Sequence, residues 1–517
     1  MWQESTVSDE KTPSRGLEAL RTEYGDFQTP LGLGREICNL LARRGLRPVS
    51  VLEPNCGKGS LLIAARESFP CARSIVGVEI NPEYVEVARS SVSTDAKPGQ
   101  SVTITAGDFF KMDWRIILEA LPEPLLILGN PPWVTNAELA VLGSSNLPVK
   151  SNFQNHRGLD AMTGKSNFDI SESMLIRELE WICGRRATLA MICKMAVARK
   201  ILRYAWKNHV SVGEANIYRI DAGKYFGVTV EACLLIMDGS GTTKTGECSL
   251  FDSIQAQAPV SSIAYRDGIL VSDARSYDRW KHLEGKGHGT WRSGIKHDCT
   301  RIMELQRQDG KYCNSLGEIV DVEDDYVYPM LKSSDLAHED RPIPRRFMLV
   351  TQRQIGEDTR QLRMLAPKVW EYLTRHARLF DARASSVYRH RPPFSIFGVG
   401  TYSFSEWKVA ISGFYKRLDF RIIGPYEQKP VVLDDTCYFV PCRSQQEAEL
   451  ITGVLNSAVA REFFTSRIFW DEKRPITLGV LSSLNVLAAA KEIGLEAPLR
   501  NILSRSRGSP TQLNLFT

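Results

Sequence analysis

Between Leu33 and Met237 the chain alternates short apolar runs with amphipathic stretches, and this rhythm constrains the fold more than any other feature. The runs Val49–Leu52, Ile75–Glu79, Val102–Ala106, Leu125–Leu128, Ala187–Cys193, Asn216–Asp221 and Ala232–Met237 have the length and apolar character of strands. Among them, Leu33–Arg43, Gly59–Ser68 and Pro82–Ser90 carry helical periodicity. Such alternation predicts an α/β fold, a mostly parallel seven-stranded sheet with helices on both faces. The last two runs have no long helical pattern between them, so an antiparallel edge is expected there.

At 517 residues the chain is long enough for two or three domains, each with a proper core. The Gly/Thr-rich stretch Asp238–Glu247 has no periodicity and reads as the boundary after the sheet domain. The expected organisation is a flexible N-terminus over 1–20, the sheet domain over 21–240, a mixed α/β domain over 250–490 and a tail over 491–517. In the second half, Pro393–Ser403 and Trp407–Tyr415 read as aromatic strands and Gln445–Phe464 as a helix.

No run approaches the roughly 18 consecutive apolar residues of a membrane span, and Met1–Arg15 is polar, unlike a secretory leader. The 11 cysteines form no C-x-x-C pair, so no metal site is signalled, and their apolar settings suit a reducing cytoplasm. Charge is uneven: Asp298–Asp340 is acidic, whereas Arg341–Arg421 holds 16 basic and 6 acidic residues. Thirteen of those 16 are arginine, whose planar fork suits phosphates and guanine edges, although a charge run also occurs as a merely solvated face.

Three turns at strand ends carry candidate chemistry. Glu53-Pro54-Asn55-Cys56-Gly57-Lys58-Gly59 leads from the first strand into a helix, where glycines admit a ligand close to the backbone. Glu79 ends the second strand, where a carboxylate can accept from both hydroxyls of a ribose. Gly107-Asp108-Phe109-Phe110 follows the third strand; the aspartate can accept from an adenine amino group, or simply cap a helix.

The sharpest signal is Gly129-Asn130-Pro131-Pro132-Trp133 after the fourth strand. The prolines fix a rigid turn in which the Asn130 side-chain oxygen and the Pro131 carbonyl can converge on one primary amine. Two such acceptors draw the nitrogen lone pair out of conjugation and aim it at an incoming methyl group. Trp133 supplies a ring on which a planar base could stack.

These ordered motifs resemble those of the gamma-class DNA adenine-N6 methyltransferases of bacterial restriction–modification systems. Tyr24-Gly25-Asp26-Phe27-Gln28-Thr29-Pro30 is similar to that family's N-terminal cofactor motif, and its place ahead of the Gly-rich turn sets the gamma order. The resemblance implies a class I, Rossmann-like methyltransferase fold followed by a target-recognition domain. It implies S-adenosylmethionine as cofactor, held by Thr29, Glu53, Pro54, Asn55, Gly57, Gly59, Glu79, Ile80, Asp108, Phe109 and Asn130. It gives the catalytic role to Asn130, Pro131, Pro132 and Trp133, and implies that Trp133 and Phe226 hold a flipped adenine. Phe168-Asp169 and Tyr225-Phe226 resemble weaker motifs of the family.

Double-stranded DNA is the implied substrate, in a bacterial, nucleoid-associated cytoplasmic enzyme. A base inside a duplex must be extruded, which calls for a second lobe gripping DNA. The Arg-rich segment suits that lobe, with Tyr388, Phe394, Phe397, Tyr402, Phe404, Trp407 and Tyr415 interleaved and Arg389 and Arg391 as contacts. About twenty residues precede the cofactor motif, too few for a fused nuclease, so the cutter is expected to be a separate restriction endonuclease. Gln512-Leu513-Asn514-Leu515-Phe516 resembles the peptide by which bacterial proteins bind the replication sliding clamp. RNA or glutamine amino-methylation and DNA cytosine-N4 methylation remain alternatives on the same amine chemistry.

Overall fold

The computed structural model describes residues 27–94, 99–134, 169–241, 246–285, 289–338 and 342–505. The N-terminal segment 1–20, Tyr24–Asp26, Phe168 and the clamp-like Gln512–Phe516 lie outside the described residues. The chain divides into two compact units, Met1–Ala274 and Arg275–Thr517.

In the first unit the strands are β1 (Ser50–Glu53), β2 (Ser74–Glu79), β3 (Ser101–Ala106), β4 (Leu125–Gly129), β5 (Ala187–Lys194), β6 (Ala215–Ile220) and β7 (Ala232–Asp238). They lie in the order β3-β2-β1-β4-β5-β7-β6, parallel except for β7, which runs antiparallel to β5 and β6. Every residue of β1 and β4 is buried, as expected of central strands covered on both faces. The helices include α1 (Leu31–Arg43), α2 (Ser60–Ser68), α3 (Pro82–Ser93), α4 (Trp114–Glu119), α5 (Ile170–Ile182), α6 (Met195–Lys207) and α7 (Ala222–Phe226). Local chemistry starts them: Asn81, Asp113, Asp169 and Asp221 each accept a bond from a first-turn N–H, and Pro82 opens α3. Gly227, at φ 69°, ends α7 in the left-handed conformation.

Among the described residues the sheet has ten strands, not the expected seven, because β8 (Glu247–Phe251), β9 (Ser261–Arg266) and β10 (Ile269–Val271) extend it beyond β6. β6 is therefore not an edge, and the unit ends at Ala274 rather than near 240. The Gly/Thr-rich stretch does not end the unit, since beyond it β8 pairs in parallel with β6 and Phe251 stacks on Tyr218 with centroids 4.3 Å apart.

The second unit is mixed α/β. One sheet has the order β11 (Arg292–Ser293), β20 (Cys437–Cys442), β17 (Trp407–Ser412), β18 (Arg421–Ile423). A second has the order β14 (Ile319–Val320), β13 (Lys311–Asn314), β12 (Glu304–Gln308), β16 (Arg346–Leu349), β15 (Val327–Leu331), β19 (Val432–Leu433). Pro393–Ser403 is not a strand: Phe394 at φ 58° and Gly398 at φ 70° bend the chain, leaving a single bridge from Phe397 to Lys296. Gln445–Phe464 splits into helices Gln445–Leu455 and Ala458–Thr465, the second capped by the Ser457 hydroxyl. The expected tail begins with another helix, Glu496–Arg505, whose Leu499 and Leu503 join a core with Val409, Ile451 and Phe463.

Glu178 on α5 is fully buried, and neither carboxylate oxygen has a partner. Burial alone pushes its carboxyl up to about 8. An acid whose folded value exceeds its unfolded one binds more protons when folded, so stability is lost as pH rises from about 4.5 to about 8. Glu178→Gln is expected to remove that slope, gaining roughly 3 kcal/mol on wild type at pH 7 and much less at pH 5. Urea unfolding of the first unit at the two pH values checks it; a pH-independent difference would contradict the buried-acid account.

Candidate active site

The strand order reverses between β1 and β4, which pair with each other and lead away on opposite sides. In open α/β sheets the crevice beyond the carboxyl ends at such a reversal is where ligands bind. Asn55 and Asn130 lie in the turns that follow these two strands, and the Asn55 side-chain amide donates to the Asn130 carbonyl at 2.9 Å.

On the β1 side, Gly57 (φ 52°) and Gly59 (φ 86°) turn the chain into α2. A Cβ at Gly57 would sit 2.5 Å from the Gln28 side-chain oxygen, and one at Gly59 would sit 2.6 Å from Val92 of α3. Glu79 is clamped at the end of β2: Gly57 N–H donates to one carboxylate oxygen and Asn81 N–H to the other, both at 2.8 Å. The next residue, Ile80, is 42% exposed, an apolar side chain open to solvent. Glu53 is buried with one oxygen unpartnered, and burial together with the Glu79 charge drives its carboxyl well above the usual range. Burial also raises the Cys56 thiol, so it is no thiolate nucleophile.

Asp108 does not cap a helix. Its carboxylate accepts from Phe110 N–H at 2.9 Å and pairs with Lys111 at 2.8 Å, while Asp113 caps α4. Phe109 is buried among Phe110, Trp114 and Trp181, with centroids 5.2 to 5.5 Å away. Of the two phenylalanines after Asp108, Phe109 is thus a core ring and Phe110 is half-buried.

On the β4 side the Asn130 amide is oriented by two bonds from its nitrogen, to the Phe27 carbonyl at 2.7 Å and the Thr29 hydroxyl at 3.2 Å. Its oxygen is left buried without a partner. No described residue donates through its backbone to the adjacent Pro131 carbonyl. Pro132 is half-buried. A buried Asn130 oxygen without a partner, beside a Pro131 carbonyl that accepts from no described backbone donor, is what a primary amine would satisfy, since an orphaned buried acceptor is otherwise costly.

Trp133 does not present an open face: it is 4% exposed and packs with Phe27 at 5.4 Å and Phe226 at 5.0 Å. The structure thus brings Phe226, on α7, beside the Asn-Pro-Pro turn. The Trp133 indole N–H is itself buried without a partner. Arg389 and Arg391 belong to the second unit, where both are exposed on either side of His390 at φ 60°. Several of the interleaved aromatics are structural: Phe394 packs on Trp370 and Phe380, and Arg292 lies over Tyr402. Sequence reasoning missed Lys194, which ends β5 and reaches the same turn; a cation closing a run of buried apolar residues was the available signal.

No family model matches the sequence. The chain is 45% identical over 480 residues to the Type II methyltransferase M.NspV of Nostoc sp. (strain ATCC 29411 / PCC 7524), covering 92% of this chain and 99% of that protein. In fold it is similar to the Type IIL restriction–modification enzyme MmeI, solved in complex with DNA, at a TM-score of 0.54 and 15% identity. That likeness covers 96% of this chain and 71% of MmeI.

Proposed function

Because the chain belongs to the Type II methyltransferases of restriction–modification systems, we propose that it moves a methyl group from S-adenosylmethionine to the N6 amino group of an adenine in double-stranded DNA. The observation that carries this reading is the Asn130 amide, locked by Phe27 and Thr29 with its oxygen buried and unpartnered. The DNA-bound state of MmeI and the Arg-rich segment of the second unit support DNA as substrate.

The first unit fits the cofactor. Gly57 turns the chain at φ 52°, a conformation that disfavours a side chain, Ile80 offers an exposed apolar contact to a purine, and Glu79, bonded to the N–H groups of Gly57 and Asn81, can also accept from ribose hydroxyls. The orphaned oxygens of Glu53 and Asn55 suit the donors of an amino-acid head group. Asp108 takes the adenine end, with Thr29 and Pro54 shaping the wall and Phe109 backing it. When bound, S-adenosylmethionine supplies an electrophilic methyl group on a sulfonium.

Asn130 Oδ1 and the Pro131 carbonyl then accept the two N–H bonds of the target amine and turn its lone pair out of the ring plane. The same two oxygens keep the amine's N–H bonds as it gains the methyl group that the bound cofactor would supply, and hold the surplus proton until solvent takes it. Trp133 and Phe226 hold the extruded base, which requires the aromatic cluster to open by a ring's thickness. Arg389 and Arg391 contact the duplex.

Nucleoside mass spectrometry after incubation with cofactor and unmethylated duplex DNA tests the reading. N6-methyladenine is the expected product; N4-methylcytosine would keep the mechanism and overturn the base, and a product only on RNA or protein would overturn the substrate. A separate endonuclease and the clamp, through Gln512–Phe516, complete the proposal. Equal clamp pull-down with and without 511–517 would refute the second.

A further inference from the structure

The Lys194 ammonium donates to the Trp133 carbonyl at 2.8 Å and to the Asp169 carboxylate at 2.7 Å. Asp169 is buried, and its other oxygen caps α5 by accepting from the N–H of Ser171 at 3.2 Å and its hydroxyl at 2.5 Å. Ile170 N–H donates to the Val134 carbonyl at 3.0 Å, so α5 is tied to the turn a second time. From these contacts we infer that Lys194 and Asp169 are positioning residues, an ion pair between a half-buried ammonium and a buried carboxylate that fixes the carbonyl end of Asn130-Pro131-Pro132-Trp133 against β5 and α5. The inference rests on the reading of that turn as the amine-binding element.

The turn is then held at three points: the Asn130 side chain by Phe27 and Thr29, the Asn130 carbonyl by Asn55, and the Trp133 carbonyl by Lys194. The Pro131 carbonyl lies between the second and third. Two prolines remove N–H groups that could anchor the turn to its neighbours, so the anchors must come from carbonyls. An ammonium on a strand end supplies several donors from one rigid base. Neither residue touches the amine in this arrangement. Their effect is on where the two acceptors point, and a misplacement of about 1 Å in such a site costs on the order of a hundredfold in rate.

Lys194→Met alone would leave Asp169 as an unpaired buried charge and is expected to destabilise the first unit. The decisive variant is therefore Lys194→Met with Asp169→Asn, which removes both charges. It is expected to fold, to bind cofactor within about threefold of wild type in calorimetry, and to lose roughly 30- to 100-fold in kcat at saturating cofactor. Lys194→Arg, which keeps a cationic donor, is expected to recover most of the rate. Hydrogen exchange gives a readout independent of substrate: the peptide over 125–134 should exchange faster in the double variant, and the strand over 74–79 unchanged. A folded double variant with wild-type kcat and unchanged exchange over 125–134 would overturn the clamp. If wild type methylates no DNA, the substrate reading falls, and the exchange result still decides the clamp.

Discussion

Asn130→Ala is expected to abolish methyl transfer, with kcat down by roughly a thousandfold, while cofactor affinity stays within about threefold of wild type. The rate falls because the variant removes one of two acceptors aimed at the amine, and an acceptor placed in advance works only where charge develops. The expected size exceeds that of an ordinary lost hydrogen bond because the Asn130 oxygen is buried, where water cannot substitute for it. The fold should survive: what is left unpaired is the Phe27 carbonyl and one Thr29 bond, about 1–2 kcal/mol. Asn130→Asp provides the control. It keeps an oxygen but sets a second one against the Phe27 carbonyl, so it should recover little activity. Single-turnover assays with saturating cofactor and DNA separate the chemical step from binding, and near wild-type turnover in Asn130→Ala would remove the turn from the mechanism.

The strands and turns of the first unit were legible because their signals are local. β2 and β4 fall within a residue of the apolar runs, and the Asn-Pro-Pro turn follows directly from β4. The strand periods, the glycines at positive φ and the proline pair act over a few residues, and a single sequence carries them whole. What escaped depends on distant partners. Asp238–Glu247 has the composition of a linker, and only the pairing of β8 with β6 keeps the chain in the same sheet. Pro393–Ser403 has the aromatics of a strand, yet they pack into a core while the backbone bends at Phe394 and Gly398. Asp108 reads in sequence as a base contact or a helix cap, and its bonds to Phe110 and Lys111 form a turn instead of a cap. Lys194 and Asp169 meet across 25 positions, and Trp133 is enclosed by Phe27 and Phe226 from opposite ends of the unit. No local pattern encodes such meetings.

Glu79→Ala is expected to show the opposite division of effects: cofactor Kd up by roughly a hundredfold, and kcat at saturating cofactor within a few fold of wild type. Each carboxylate oxygen already accepts one backbone N–H, from Gly57 and from Asn81, and each keeps lone pairs for a ribose hydroxyl. The variant therefore loses the ribose acceptors and also the link between the β1 turn and the start of α3. Bonds to a charged group contribute about 1.5–3 kcal/mol each, so losing the equivalent of one or two gives the hundredfold change. Glu79→Gln separates the two losses, because its amide can keep one backbone N–H bond but faces the other with a second donor. It should bind cofactor with intermediate affinity. The chemistry should persist in both variants, since the proposed acceptors of the amine are in the turn after β4 and are anchored by Phe27, Thr29 and Lys194, whereas Glu79 bonds the backbone of Gly57 and Asn81. Calorimetric titration measures the first effect and a rate at saturating cofactor the second. Unchanged affinity in Glu79→Ala would mean that this carboxylate holds the backbone of Gly57 and Asn81 and not the cofactor.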